Sequence, residues 1–220
     1  MLSSKDFTVV IPARAGSTRV PNKNFKEFAG TSLMEIKIHQ AIDLGFKTII
    51  NSDSDIAENL ANKFNLQFHR RPDYFASNQC SNSEYYEYLA KNVSSEIIVI
   101  LQPTAPLLLT STIQNCINTY IKNYENFDSL VTSDFVKKFA FYDGRPINYD
   151  LNNMPNSQDL VPIVMPTYNV MITKVSSLLK FRNVITDKCM FFEISQRESF
   201  EIDTPEEFEV AEILYKGRNT

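Results

Sequence analysis

The chain has no tryptophan, five glycines, three cysteines and two histidines in 220 residues. The glycine shortage excludes the dinucleotide fingerprint, which places three glycines within six positions, and no Gly-Lys-Ser/Thr ending marks a Walker loop. Cys80, Cys116 and Cys189 are widely spaced and form no CxxC pair, so neither a thiolate metal site nor a disulfide framework is expected. Cys116 falls in a helical pattern and Cys189 near a strand, where packing or surface roles suit them. His39 lies in a helical pattern and reads as a surface or packing residue. No apolar run reaches the length of a membrane span, and Met1-Leu-Ser-Ser-Lys-Asp lacks the apolar core of a signal peptide. With the odd cysteine count, this leads to the expectation of a reducing, cytoplasmic setting. Lys and Arg number 22 against 26 Asp and Glu. The net charge of −4 argues against a general nucleic-acid binder, so any basic cluster is a local feature.

Hydrophobic residues make up 43% of the chain, ample for a core, and the length fits one domain over 1–220. The chain is organised around Phe7-Thr-Val-Val-Ile11-Pro-Ala-Arg14-Ala-Gly16-Ser17-Thr-Arg19-Val-Pro21-Asn-Lys23-Asn24. Phe7 to Ile11 reads as a buried strand that breaks at Pro12 into a loop carrying Arg14, Arg19 and Lys23. Gly30-Thr31-Ser32-Leu33 then starts a helix, capped by Thr31 or Ser32. Strand, cationic loop and helix together form the arrangement by which α/β proteins hold a phosphate chain. Gly16 can adopt positive φ and let backbone N–H groups approach an anion.

The rest alternates between apolar runs and helical patterns. Helices are expected over 33–44, 55–64, 81–93, 111–124 and 204–215, and strands at 48–50, 66–69, 97–101, 129–132 and 189–194. Asn51-Ser52-Asp53-Ser54-Asp55 closes one strand where open α/β sheets bind ligands, and it also makes a helix cap. Tyr85, Tyr86 and Tyr88 have the spacing of a core edge. Gln102-Pro103-Thr104-Ala105-Pro106 fixes an amide and a hydroxyl between prolines. A hairpin with an Asp143-Gly144 turn begins a segment, about 135–165, that is poor in regular pattern. Glu201 and Asp203, two apart in an extended segment, point to one side as a grip for a hard cation. Asp203 can alternatively cap the helix that starts near Pro205.

Ile11-Pro-Ala13-Arg14-Ala15-Gly16-Ser17-Thr-Arg19-Val-Pro-Asn-Lys23-Asn24 resembles the opening signature of the acylneuraminate cytidylyltransferases, the CMP-sialic acid synthetase family. Arg71-Pro72 with Ala76-Ser77, Gln102-Pro-Thr104, Gln158-Asp-Leu and Glu201-Ile-Asp203-Thr-Pro-Glu are similar to later family motifs. The resemblance implies an α/β, Rossmann-like, mostly parallel sheet with helices on both faces, and a segment near 135–165 that projects to form a homodimer. It implies transfer of CMP from CTP to an acid sugar with release of pyrophosphate, aided by Mg²⁺.

By the same resemblance Arg14, Lys23 and Asp203 are catalytic. Ala13, Ala15, Gly16, Ser17, Arg19, Asn24, Arg71 and Ser77 bind the nucleotide. Gln102, Thr104, Gln158 and Tyr168 meet the acceptor, and Asp203 with Glu201 holds the metal. Arginines of the family pattern are replaced by Leu108, Ser157 and Met165, and a glycine by Tyr168, so sialic acid itself is less secure than CTP. Two alternatives stand beside this reading: another anionic acceptor, such as a 3-deoxy-octulosonic acid, or a nucleotide-binding homologue that does not catalyse.

Overall fold

A computed structural model describes residues 2–218. In chain order the elements are β1 (Phe7–Ala13), β2 (Glu27–Phe28), β3 (Thr31–Ser32), α1 (Leu33–Leu44), β4 (Lys47–Ser52), α2 (Asp55–Lys63), β5 (Gln67–Arg70), α3 (Asp73–Ala76), α4 (Asn82–Lys91), β6 (Ile97–Leu101), α5 (Thr110–Asn123), β7 (Ser129–Val136), β8 (Phe141–Tyr142), β9 (Arg145–Pro146), β10 (Ile163–Lys174), α6 (Val175–Phe181), β11 (Cys189–Glu193) and α7 (Pro205–Lys216).

Seven strands form one sheet in the order β11-β7-β10-β6-β1-β4-β5. All neighbours are parallel except β10, which runs antiparallel to both β6 and β7. The expected mostly parallel sheet is therefore present. Alternate residues of the same strands supply two cores. Val9, Ile11, Ile50, Val99 and Ile172 pack with Met34 and Ile38 of α1, Ala57 of α2 and Ile117 of α5. Val10, Ile49, Ile100 and Met171 pack with Leu89 of α4 and Leu178 of α6. Helices thus cover both faces, as a sheet buried on both sides requires. A third cluster, Val20, Phe28, Leu33, Ile202 and Phe208, seats α7 beside the loop that follows β1.

Local chemistry sets the boundaries. The Ser32 hydroxyl accepts from Glu35 N–H at the start of α1, and Gly45 ends it in the left-handed region at φ 72°. Ser81 and Glu84 form a capping box on α4, and Thr204 and Glu207 form one on α7 with Pro205 in its first turn. Asp143 and Gly144, both at positive φ, turn the β8–β9 hairpin as expected.

Three expectations are corrected. β1 does not break at Pro12 but continues to Ala13, pairing Pro12 with Asn51. The ladder to β6 has already ended at Val10, so the proline sits on a locally free edge. Asp73–Ala76 is a short helix where none is expected. The stretch from Ile163 to Lys174, read only as a motif, is the longest strand of the sheet. Its pairing to β7 shifts register between Pro166 and Met171, and that bulge breaks the alternation a strand normally shows.

Residues 137–162 leave the sheet between β7 and β10. Asn148 ties the base of this excursion, donating to the carbonyls of Lys138 and Val161 and accepting from Ala140 N–H.

Candidate active-site cleft

β1 feeds β4 on one side, while β6 lies on its other side, so the strand order reverses between β1 and β6. A crevice at the carboxyl ends of strands beside such a reversal is the ligand site of open α/β sheets. A cavity of about 770 Å³ opens there. Its walls are the loop after β1, residues 71–86 running from the end of β5 into α4, the loop after β6, the stretch around Tyr168 in β10, Arg182 and Asn183 after α6, and residues 201–203 ahead of α7.

The loop after β1 is held from several directions. Asp53 Oδ1 accepts from the N–H of Ala15 at 2.8 Å. Arg14 Nη1 donates to Asn78 Oδ1 at 2.9 Å. Lys23, 9% exposed, donates its amine to the Ile202 carbonyl at 2.6 Å and reaches Asp203 Oδ1 at 3.2 Å. Arg19 Nη2 reaches the same oxygen at 2.9 Å. Lys23 and Asp203 are 180 positions apart, and the cluster of Val20, Ile202 and Phe208 is what brings them together. The carboxylate of Asp203 faces these cations and not the helix. Thr204 caps α7, so the alternative role for Asp203 as a cap is replaced by a charge contact.

The loop after β6 joins the same wall. Thr104 accepts at its carbonyl from Ile202 N–H at 2.9 Å, and its hydroxyl donates to Glu201 Oε1 at 2.8 Å. Glu201 opens to the cleft, but the protein around it withholds water, and this enclosure raises its carboxyl pKa above the ordinary value. The Thr104 hydrogen bond and Lys23 oppose that shift, while Asp203 and Glu207 add to it.

Behind the loop lies Lys37, which was not singled out in the sequence. It is fully buried in α1 and donates to the Ala105 carbonyl at 3.1 Å. Gln40 Nε2 donates to the Leu108 carbonyl at 2.6 Å, and Arg218 Nη1 to that of Pro106 at 3.4 Å. These donors satisfy three carbonyls of the proline-interrupted loop. Burial first, and then the charge of Arg218, pushes the Lys37 amine down to about 7.

A depressed amine binds its proton less tightly in the folded chain than in the unfolded one. From about pH 7 up to the ordinary lysine range the unfolded chain therefore carries the extra proton. Stability should rise with pH across that window, by up to about 1.4 kcal/mol per unit from this group. Lys37→Met should remove that part of the rise in urea unfolding followed across the window. An identical slope in wild type and variant would show that Lys37 does not carry it.

Of the residues singled out in the sequence, Arg14, Ser17, Arg19, Lys23, Asn24, Arg71, Ser77, Gln102, Thr104, Tyr168, Glu201 and Asp203 all line the cavity. Ala13 is buried at the end of β1, and Ala15 contributes its backbone. Gly16 does not take the positive φ expected of it; a Cβ there would meet no atom within 4 Å, so its effect is to leave open space over the loop. Gln158 does not line the cavity: it is exposed in the 137–162 excursion, where its carbonyl accepts from Lys137.

Arg70 turns away to pair with Asp55 and Glu58, whereas Arg71 stacks 3.7 Å over the Tyr85 ring and donates to the Phe75 carbonyl. Leu108, read as a lost cation, is fully buried in the core. Tyr85 and Tyr86, read as core edge, line the cavity. So do Arg182 and Asn183, which no local pattern in the sequence marks out. Neither histidine lines it: His39 packs on Phe64 and His69 on Tyr88.

Among the described residues no three His, Cys, Asp or Glu side chains group as metal ligands. Glu201 and Asp203 still fit a magnesium ion, which is commonly held by one or two carboxylates with substrate oxygens and water completing its shell.

Comparison with known proteins bears out the resemblance. The family model described as cytidylyltransferase matches residues 8–218. A pseudaminic acid cytidylyltransferase of Campylobacter jejuni is 25% identical over 220 residues, covering 94% of this chain and 95% of its own. An N-acylneuraminate cytidylyltransferase of Streptococcus agalactiae is 22% identical over 211 residues, covering 90% of this chain but 51% of its own, so the chain spans about half the length of that relative. A solved CMP:2-keto-3-deoxy-manno-octonic acid synthetase complexed with CTP superposes with a TM-score of 0.74 at 14% identity, over 96% of this chain and 99% of its own.

Proposed function

The chain belongs to the cytidylyltransferase family, and from that premise we propose that its cleft transfers CMP from CTP to a hydroxyl of an acid sugar of the nonulosonic type, releasing pyrophosphate. The observation that carries this reading is the meeting of Arg19 and Lys23 from the first loop with Asp203 from the far end of the chain, beside Gln102 and Thr104.

The acceptor hydroxyl attacks the α-phosphorus in line, its proton passes to solvent as the new P–O bond forms, and the bond to the β-phosphate oxygen breaks. Negative charge grows on the departing pyrophosphate. Arg14, Arg19 and Lys23 offset it, and preorganised cations of this kind are among the largest contributors to such catalysis. Asn24, Arg71 and Ser77 border the nucleoside, while Gln102, Thr104 and Tyr168 face the acceptor. Arg19 and Lys23 both reach the Asp203 carboxylate. A triphosphate competes for those cations and releases the carboxylate. Asp203 and Glu201 would then hold magnesium, which supplies Lewis-acid neutralisation of phosphate oxygens. The relatives' names cover N-acylneuraminate, pseudaminic acid and, over about half of this chain, 3-deoxy-manno-octulosonate, and all three acceptors are carboxylic acids.

Incubating the protein with CTP, Mg²⁺ and each of these three acids should release pyrophosphate with at least one. Saturable CTP binding without turnover on any of them would favour the non-catalytic reading.

We also assign residues 137–162 to contact with a second copy. Tyr142, Leu151, Met154 and Val161 are exposed there, and an apolar set of this kind is normally covered. Sedimentation should give a dimer for the wild type and a monomer for Leu151→Asp/Met154→Asp. A monomeric wild type would refute the assignment.

A further inference from the structure

Arg182 stands on the side of β6 away from the phosphate loop. β10 runs antiparallel to β6, so α6, which follows it, returns towards the carboxyl ends of the parallel strands and delivers its C-terminus to the cleft. Arg182 and Asn183 line the cavity there with Tyr86 and Tyr168.

Two features distinguish this arginine. The first is how it is held. Its Nε lies 2.8 Å from Glu87 Oε2 in an ion pair, and Glu87 is itself paired with Lys91 at 2.5 Å. Neither Nη group has a hydrogen-bond partner among the described residues, and beyond Glu87 the guanidinium feels the charge of Glu84, so its fork is open to a further anion. That fork matches a carboxylate bidentately, as a point charge cannot. The second feature is its backbone, with φ 52° and ψ 33° at the helix cap, where glycine is the usual occupant. Of the described non-glycine residues at positive φ, Asn22, Asn65 and Asp143 are types that tolerate it; Ala29, Tyr168 and Arg182 are not, and the last two both line this cavity. A strained backbone kept at a cleft by a residue that folding does not favour there is a mark of function.

We propose that Arg182 is the specificity-determining residue of the acceptor subsite and binds the carboxylate of the acid sugar, with Glu87 as its positioning residue. This rests on the nucleotidyl-transfer reading for the identity of the acceptor, while the phosphate loop and its cations remain dedicated to CTP.

The test is calorimetric titration of the wild type with N-acetylneuraminic, pseudaminic and 3-deoxy-manno-octulosonic acids and with their carboxyl methyl esters, and separately with CTP. The expected result is binding of at least one acid and weaker binding of its ester. Arg182→Gly, which relieves the backbone, should melt no lower than wild type. It should bind that acid about 30-fold more weakly, the loss expected of a charge-assisted hydrogen bond, and no longer distinguish acid from ester. Its CTP affinity should stay within about twofold of wild type, since the phosphate cations are untouched. Arg182→Lys should fall between, and Glu87→Gln should weaken acid binding less than Arg182→Gly.

Unchanged acid binding in Arg182→Gly overturns the proposal. So does a loss of CTP affinity as large as the loss of acid affinity, which would assign Arg182 to the triphosphate. A wild type that binds none of the three acids overturns it as well. CTP binding, measured independently, then decides the fate of the broader reading.

Discussion

Lys23→Ala should lower kcat by about 10²–10³-fold, the range found when a single preorganised donor to a developing anion is removed. Lys23 earns this expectation by its surroundings more than by its charge. The side chain is nearly enclosed, and its amine already serves the Ile202 carbonyl at 2.6 Å and Asp203 at 3.2 Å. A cation held in this way needs little rearrangement to meet a phosphate oxygen, and it sits where water screens it weakly. The variant leaves the Ile202 carbonyl without its donor, a cost of roughly 1 kcal/mol that a 25.3 kDa domain tolerates. Circular dichroism and thermal melting should therefore report a folded protein. The measurement is pyrophosphate release with CTP and whichever acid the wild type accepts. Near-normal turnover in the folded variant would remove Lys23 from the mechanism.

The second large effect belongs to Asp203→Asn. The ion pair with Arg19 joins two well-exposed groups and contributes little to stability, and the nearly enclosed Lys23 keeps its hydrogen bond to the Ile202 carbonyl, so the fold should persist. The substitution has opposite consequences for the two ligands. Without magnesium, CTP should bind at least as well as to wild type, because Arg19 and Lys23 no longer have an internal anion to satisfy. With magnesium, the gain in CTP affinity seen for wild type should largely vanish, and turnover should drop by about 10²–10³-fold. CTP titrations with and without Mg²⁺ separate these outcomes. If Asp203→Asn kept the full magnesium-dependent gain, the carboxylate would have no part in holding the ion. The helix that follows is not at issue, because Thr204 and Glu207 cap it without using the Asp203 side chain.

Much of this site was readable from the chain because its parts are local. The Phe7–Asn24 signature, the Gln102–Pro106 loop and the Glu201–Asp203 pair each follow or precede an element whose pattern is clear, and all three reach one cavity. The start of α1 was legible for the same reason, since Ser32 caps it within a turn of its own position, whereas α7 is capped by Thr204 and not by Asp203.

What was not readable depends on tertiary placement. β10 hides because its first half is mostly exposed, its second half is buried on both faces, and a bulge at Pro166–Met171 separates them, so no single period runs through it. Tyr85 and Tyr86 have helical core spacing, and only the packing of α4 on the sheet sends them to the cleft wall. Arg182 reaches the cleft because β10 is antiparallel, which no local pattern announces. Lys37 did leave a trace, since it interrupts the apolar run Leu33-Met-Glu-Ile-Lys-Ile one helical turn after Leu33. Its purpose becomes visible only beside the Ala105 carbonyl. Gln158 resembled a motif but sits in the 137–162 excursion, away from the cleft of its own chain.

The most direct test of the central claim, that the cationic loop after β1 and the acidic residues before α7 form one nucleotide site, is calorimetric titration of the protein with CTP in the presence and absence of Mg²⁺. Saturable binding at one site per chain, tightened by Mg²⁺ in wild type, weakened in Lys23→Ala and stripped of its magnesium gain in Asp203→Asn, is the predicted result. No saturable heat with CTP, or binding that neither substitution alters, would contradict it.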